Sequence, residues 1–180
     1  MNEKKINKSY SGGMGVICSL FLFFPHVSFS ATYYSKVNNG NWTANTSWYT
    51  DACGGVTTAT AGNYPGSAAG DVAIICSGIT ILMDNTPTNS IISLTLNGSG
   101  ILNFSVNSKT LTTTGNVTMN STSQIIGNNN NRILNIGSSL IVSSGANVNI
   151  GGIQVNVTGI TTIDGTVNFI DATGTKTFNP

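Results

Sequence analysis

Apolar residues recur at a constant interval of 23 positions, and a repeat of that length leaves few folds open. Leu94-Thr95-Leu96, Val117-Thr118-Met119 and Leu140-Ile141-Val142 share one pattern and start 23 residues apart. Leu102, Ile125 and Val148 keep the same spacing, and so do Leu111, Leu134 and Val157. A shorter copy follows, in which Ile160, Val167 and Phe178 continue the three series at intervals of about 20.

Each repeat thus contains three short stretches in which apolar and polar residues alternate, the mark of a half-buried strand. Asn97-Gly98, Gly115-Asn116, Ser144-Gly145, Gly151-Gly152 and Asp164-Gly165 separate them, and these residue types accept the backbone angles of turns. After residue 31 no stretch has a helical stripe, and β-branched residues dominate the apolar set. The expected fold is all-β: a single-stranded parallel β-helix solenoid of about 20–23 residues per coil with an N-terminal β cap. Its inward ladders are expected to run Leu94 over Val117 over Leu140, and Leu102 over Ile125 over Val148. A β-sandwich also uses short strands, but it does not require three parallel series at one interval. The six-residue steps usual in left-handed β-helices are absent, so the coil length favours a right-handed solenoid.

Residues 1–30 read as a secretory signal. Lys4, Lys5 and Lys8 precede an apolar run from Val16 to Phe24; Pro25 ends it, and Ser28-Phe29-Ser30 offers small residues before Ala31. The run is shorter than the roughly 20 residues that cross a bilayer. The expectation is a secreted or cell-surface protein with no transmembrane segment after signal removal. Residues 31–78 do not carry the period and read as the cap, and residues 79–180 as the repeats. The last coil, with Ile160, Ile163, Val167, Phe169 and Phe178, runs to Pro180 without a polar capping segment. That predicts either a fragment of a longer protein or a covering partner chain, and self-association through the C-terminal coil when it stands alone.

Charge is scarce. From Ala31 onward there is no His and no Glu; the acids are Asp51, Asp71, Asp84, Asp164 and Asp171, and the bases Lys36, Lys109, Arg132 and Lys176. A near-neutral balance gives no steering toward nucleic acid or anionic membranes. Cys53 and Cys76 form an even pair in an exported chain, which predicts a disulfide. Two thiols without a nearby His do not complete a zinc site. Asp164 and Asp171 are the close acidic pair of the repeats, but turn-capping explains Asp164 before Gly165. Asn128-Asn129-Asn130-Asn131 reads as a polar turn insertion. No catalytic, cofactor or metal site is expected. Trp42 and Trp48 are the candidate ligand-binding aromatics, as a sugar-stacking platform, against the plainer reading that they form the core of the cap.

The run Gly40-Asn41-Trp42, Ser47-Trp48, Pro65-Gly66, Gly70-Asp71 with Ile74, then Gly78-Ile79-Thr80-Ile81 with Asp84, leads into Ser93-Leu94-Thr95-Leu96. It resembles the start of large exported β-helix proteins of Bacteroidetes-type bacteria, and is similar to the G-eight extracellular domain. The likeness covers roughly residues 33–100. It implies an adhesin-like surface role and carries over no catalytic residue; such proteins are usually much longer and end in a sorting domain. The expected function is a non-enzymatic surface or secreted module, adhesin-like or structural, whose surface ligand is a glycan or a protein. The alternative is a carbohydrate-binding or carbohydrate-processing β-helix module of a larger extracellular protein.

Overall fold

The computed structural model of the chain describes residues 30–171 and 174–179; the signal expected over residues 1–30 thus lies, but for Ser30, outside the described residues, as does Pro180. The chain folds as an all-β parallel solenoid of about 4 turns. Among the described residues the helical content is a 3-10 turn at Asn45–Ser47, and no helix is long and apolar enough to cross a membrane.

The strands are short and follow the alternation of the sequence. They are β1 (Thr32–Ser35), β2 (Gly40–Asn41), β3 (Trp48–Tyr49), β4 (Val72–Ile75), β5 (Thr80–Leu82), β6 (Ser93–Leu96) and β7 (Ile101–Asn103). There follow β8 (Thr110–Thr113), β9 (Val117–Met119), β10 (Gln124–Ile136), β11 (Leu140–Val142), β12 (Asn147–Ile163), β13 (Thr166–Phe169) and β14 (Lys176–Asn179). Three walls result. In the first, Tyr33, Ala73, Leu94, Val117, Leu140 and Thr161 pair in succession as parallel neighbours. In the second the succession is Gly40, Ile81, Leu102, Ile125, Ile150 and Phe169. In the third it is Leu111, Leu134, Val155 and Lys176. The long strands β10 and β12 turn the corner between walls without breaking.

The ladder Leu94–Val117–Leu140 stands as the repeat predicts, and all three side chains are buried. The other two series are displaced by two residues. Ile150, not Val148, stacks on Ile125, and Val155, not Val157, stacks on Leu134. The cause is corner length. From first wall to second the chain takes eight residues in the coils of Leu94 and Val117, but ten from Leu140 to Ile150; the next corner then shortens from nine residues to five, Ile150 to Val155. Both changes are even, so the same residues stay inward, and Val148 and Val157 remain buried one step along their strands.

The last copy differs in kind. The corner from third wall to first keeps six residues in each coil, which puts Thr161 rather than Ile160 over Leu140. Ile160 is accordingly turned outward and 61% exposed, while the Thr161 hydroxyl is buried without a partner. Phe169 and Ile170 are also exposed, since β13 pairs with β12 on one side and has no described strand on the other, and so is Ile163 at the end of β12, which pairs with Val142 alone.

At the opposite end, β1 and β2 already belong to the first two walls, pairing with β4 and β5. Between β2 and β4 the chain makes an excursion that closes the end of the solenoid. Trp42 and Trp48 pack edge to face at 5.2 Å, and Tyr33 meets Trp48 at 6.4 Å. The Cys53–Cys76 disulfide ties the tip of this excursion to the end of β4.

Two outcomes follow from this register. Leu140→Asp places an unpaired charge in the ladder and is expected to cost about 3 kcal/mol or more. Thr118→Asp, on the outward face of β9, should cost under about 1 kcal/mol; equal losses in urea denaturation would contradict the inward assignment. Cys53→Ser with Cys76→Ser is expected to lower stability by about 3 kcal/mol, because the bridge spans a sequence separation of 23 and so closes a sizeable loop in the unfolded chain. Intact mass with and without reductant checks the bridge itself.

Candidate functional site

The residues nominated from the sequence divide between structural ties and surface. Trp42 and Trp48 are fully buried. The Trp42 indole N–H donates to the Pro65 carbonyl and that of Trp48 to the Trp42 carbonyl, both at 2.8 Å. Neither ring offers a face on which a sugar could stack, so the platform reading of Trp42 and Trp48 gives way to the core reading. Asp71 is buried, and its carboxylate accepts from the backbone N–H groups of Ala31, Gly66 and Ala68 at 3.0–3.2 Å. It thereby joins the start of β1 to the end of the excursion. Burial raises the pKa of the neighbouring Tyr33 hydroxyl, and the Asp71 charge raises it further. Asp84 accepts from both the backbone N–H and the hydroxyl of Thr43. Asp51 closes a surface turn; the N–H of Val56, with those of Thr57 and Ala52, holds its carboxyl below the usual range. Asp164 sits exposed in the turn after β12. Among the described residues no three His, Cys, Asp or Glu side chains come together in a set that could hold a metal ion.

A polar groove runs along the outer face of the second wall. Thr80, Ile101, Gln124, Asn149 and Asn168 follow one another there on successive coils, each paired with the next. Strand stacking therefore repeats a side chain about every 4.8 Å along the axis. The groove encloses about 440 Å³. Three of its asparagines are tied together: the Asn168 side-chain N–H donates to the side-chain oxygens of Asn147 at 2.6 Å and Asn149 at 3.2 Å. Similar axial chains occur elsewhere, with Asn120 donating to Asn97 at 2.9 Å and Ser143 donating to Asn120.

Beside this groove lies a cleft of about 530 Å³ that no sequence argument nominated. It forms where the corners differ in length. Phe104 and Ser105 come from the coil of Leu102, Gly127, Asn128 and Arg132 from the longer corner of β10, and Gly151 from the short corner of β12. The register of β10 against β12 shifts on either side of Asn128, which is where the surplus residues are accommodated. The fit is close: a Cβ on Gly127 would stand 2.5 Å from the Ile153 side chain, and one on Gly151 would stand 3.1 Å from the Gly127 nitrogen. The four-Asn stretch expected as a turn insertion is part of extended β10.

Arg132 holds the cleft together. Its Nε donates to the Val106 carbonyl at 3.2 Å; one terminal nitrogen donates to the Ser105 carbonyl at 3.2 Å and the Asn107 side chain at 3.0 Å. The other donates to the Asn128 side chain. The planar fork of a guanidinium suits such a divided set of acceptors, which lysine could not reproduce. Asp171 lines the same cleft and acts on Lys176: burial lowers the lysine's pKa and the Asp171 charge opposes that. Gln124 lines both cleft and groove, making them one continuous surface. A lone base beside a run of Asn was the signal in the sequence; what it lacked was any sign of the unequal corners.

No family model, curated protein or solved structure matches the chain.

Arg132→Met is expected to release residues 105–107 first. Hydrogen exchange should rise in that loop while the amides of β6, β9 and β11 keep their protection. An unchanged loop would show that the arginine is not the tie.

Proposed function

We propose that this protein is an exported, non-catalytic β-solenoid module of the surface or secreted type, adhesin-like in role, which binds a polar polymer such as a glycan along its second wall. The observation that carries the reading is the amide-rich groove formed by Gln124, Asn149 and Asn168 on three successive coils. Planar amides both donate and accept, which suits vicinal hydroxyls, and a rigid periodic scaffold presents them without loss of side-chain freedom on binding. An extended ligand lying along the axis would meet amides on three successive coils, at Gln124, Asn149 and Asn168, with Ile101 and Thr80 on the two coils before them. The scarcity of ionisable groups in the chain favours recognition over general acid–base chemistry, which needs a positioned titratable group. The disulfide suits an oxidising compartment, in keeping with the signal segment read from the sequence.

A glycan array probed with the purified protein is expected to give binding that Gln124→Ala and Asn149→Ala each weaken by about fivefold, the size of one or two lost hydrogen bonds. Release of shortened oligosaccharides from a bound glycan would overturn the non-catalytic reading. Binding untouched by both substitutions would move the site away from the second wall.

A further inference from the structure

Arg132 carries a permanent charge into a position only 5% exposed. Its hydrogen-bond acceptors are two backbone carbonyls and two amide oxygens, all uncharged. Neutral oxygens satisfy donors but leave the charge itself uncompensated, and buried charges are normally paired with an opposite one. The described contacts occupy four of the five N–H bonds of the guanidinium, and the fifth is on the nitrogen that also donates to Asn128. Asp171, the carboxylate that lines the same cleft, shares its field with Lys176. The charged residues of the lining are thus Arg132 and Asp171, and Lys176, which lies outside it beside Asp171, draws on the same carboxylate.

The rest of the lining narrows the ligand. Ile126 and Ile170 supply an apolar flank, while Gln124 and Asn103 supply amides. At about 530 Å³ the cleft lies within the range of small-ligand sites, roughly 300–1,000 Å³. It opens into the amide groove at Gln124. We propose that the Arg132 cleft takes a carboxylate-bearing sugar unit, a hexuronic acid, of the glycan whose neighbouring units lie in the groove; this rests on the glycan-binding reading above. The carboxylate accepts from Arg132 and from the side-chain N–H of Asn128. The ring hydroxyls meet Asn103, Gln124 and Asp171, and the C–H face of the ring packs on Ile126 and Ile170.

Calorimetry with the purified protein tests this, using a glucuronic acid trisaccharide and the same trisaccharide reduced at its carboxyl groups to glucose. The acidic probe is expected to bind about tenfold more tightly than the neutral one, the size of a charge-assisted hydrogen bond, and added salt should shrink the difference. In folded Arg132→Met the preference should disappear; a preference that persists there overturns the assignment. Equal affinities in the native protein also overturn it while leaving the groove reading intact. Binding of neither probe removes the groove reading and this inference together. If Arg132→Met does not fold, Asp171→Asn decides: removing a negative charge from the lining should raise the preference for the acidic over the neutral probe several-fold, and a preference that does not rise overturns the assignment.

Discussion

Contact between successive coils is the interaction on which everything else here depends. In Leu94–Val117–Leu140 each inward side chain stacks on the matching apolar residue of an adjacent coil. The backbone follows the same rule, because the wall strands donate and accept across coils in parallel register. A coil alone would leave both its apolar face and its amide edges in water, so cohesion is a property of the stack. Walls must therefore hold register, whereas corners are free to differ, provided the strand beyond them resumes with the same face inward. The corners around Ile150 vary by two and four residues and meet that condition.

The two ends solve the exposure problem differently. At the start, the excursion from Trp42 to Asp71 folds two indoles and a buried carboxylate over the first coil, and the Cys53–Cys76 bridge fixes it. At the other end, Phe169 and Phe178 meet at 6.1 Å, while Ile160, Ile163 and Ile170 face solvent. Among the described residues the solenoid is thus closed on one side and presents apolar side chains on the other.

Much of this fold was legible in the sequence, and what was not legible has a physical reason. The first wall could be read because its intervals are constant. The second and third could be read only to within two residues, since period-two alternation looks the same after an even slip. Ile160 misled because it is the apolar residue nearest the expected place, while the fixed corner put Thr161 inward. β1 and β2 were hidden as wall strands because the excursion stretches their interval to about forty residues. The Asn97–Asn120–Ser143 chain lay in plain view at the common spacing. The cleft was not readable at all: its lining comes from four coils, and it exists through a mismatch of corner lengths that periodicity averages away. Cysteine pairing needed only composition, and the indoles only the knowledge that large rings in a cap are usually buried.

The corner that shapes the cleft has a local consequence. Because β10 takes up its surplus residues beside Asn128 and recovers register by Ile133, the cost of a new corner stays within one coil and its two neighbours. Insertions and deletions there would change the cleft while the ladders of Leu94 and Leu102 go on stacking as before. A change of a few residues at that one bend would reshape the cleft lined by Asn128 and Arg132 while the wall pairings on either side kept their partners.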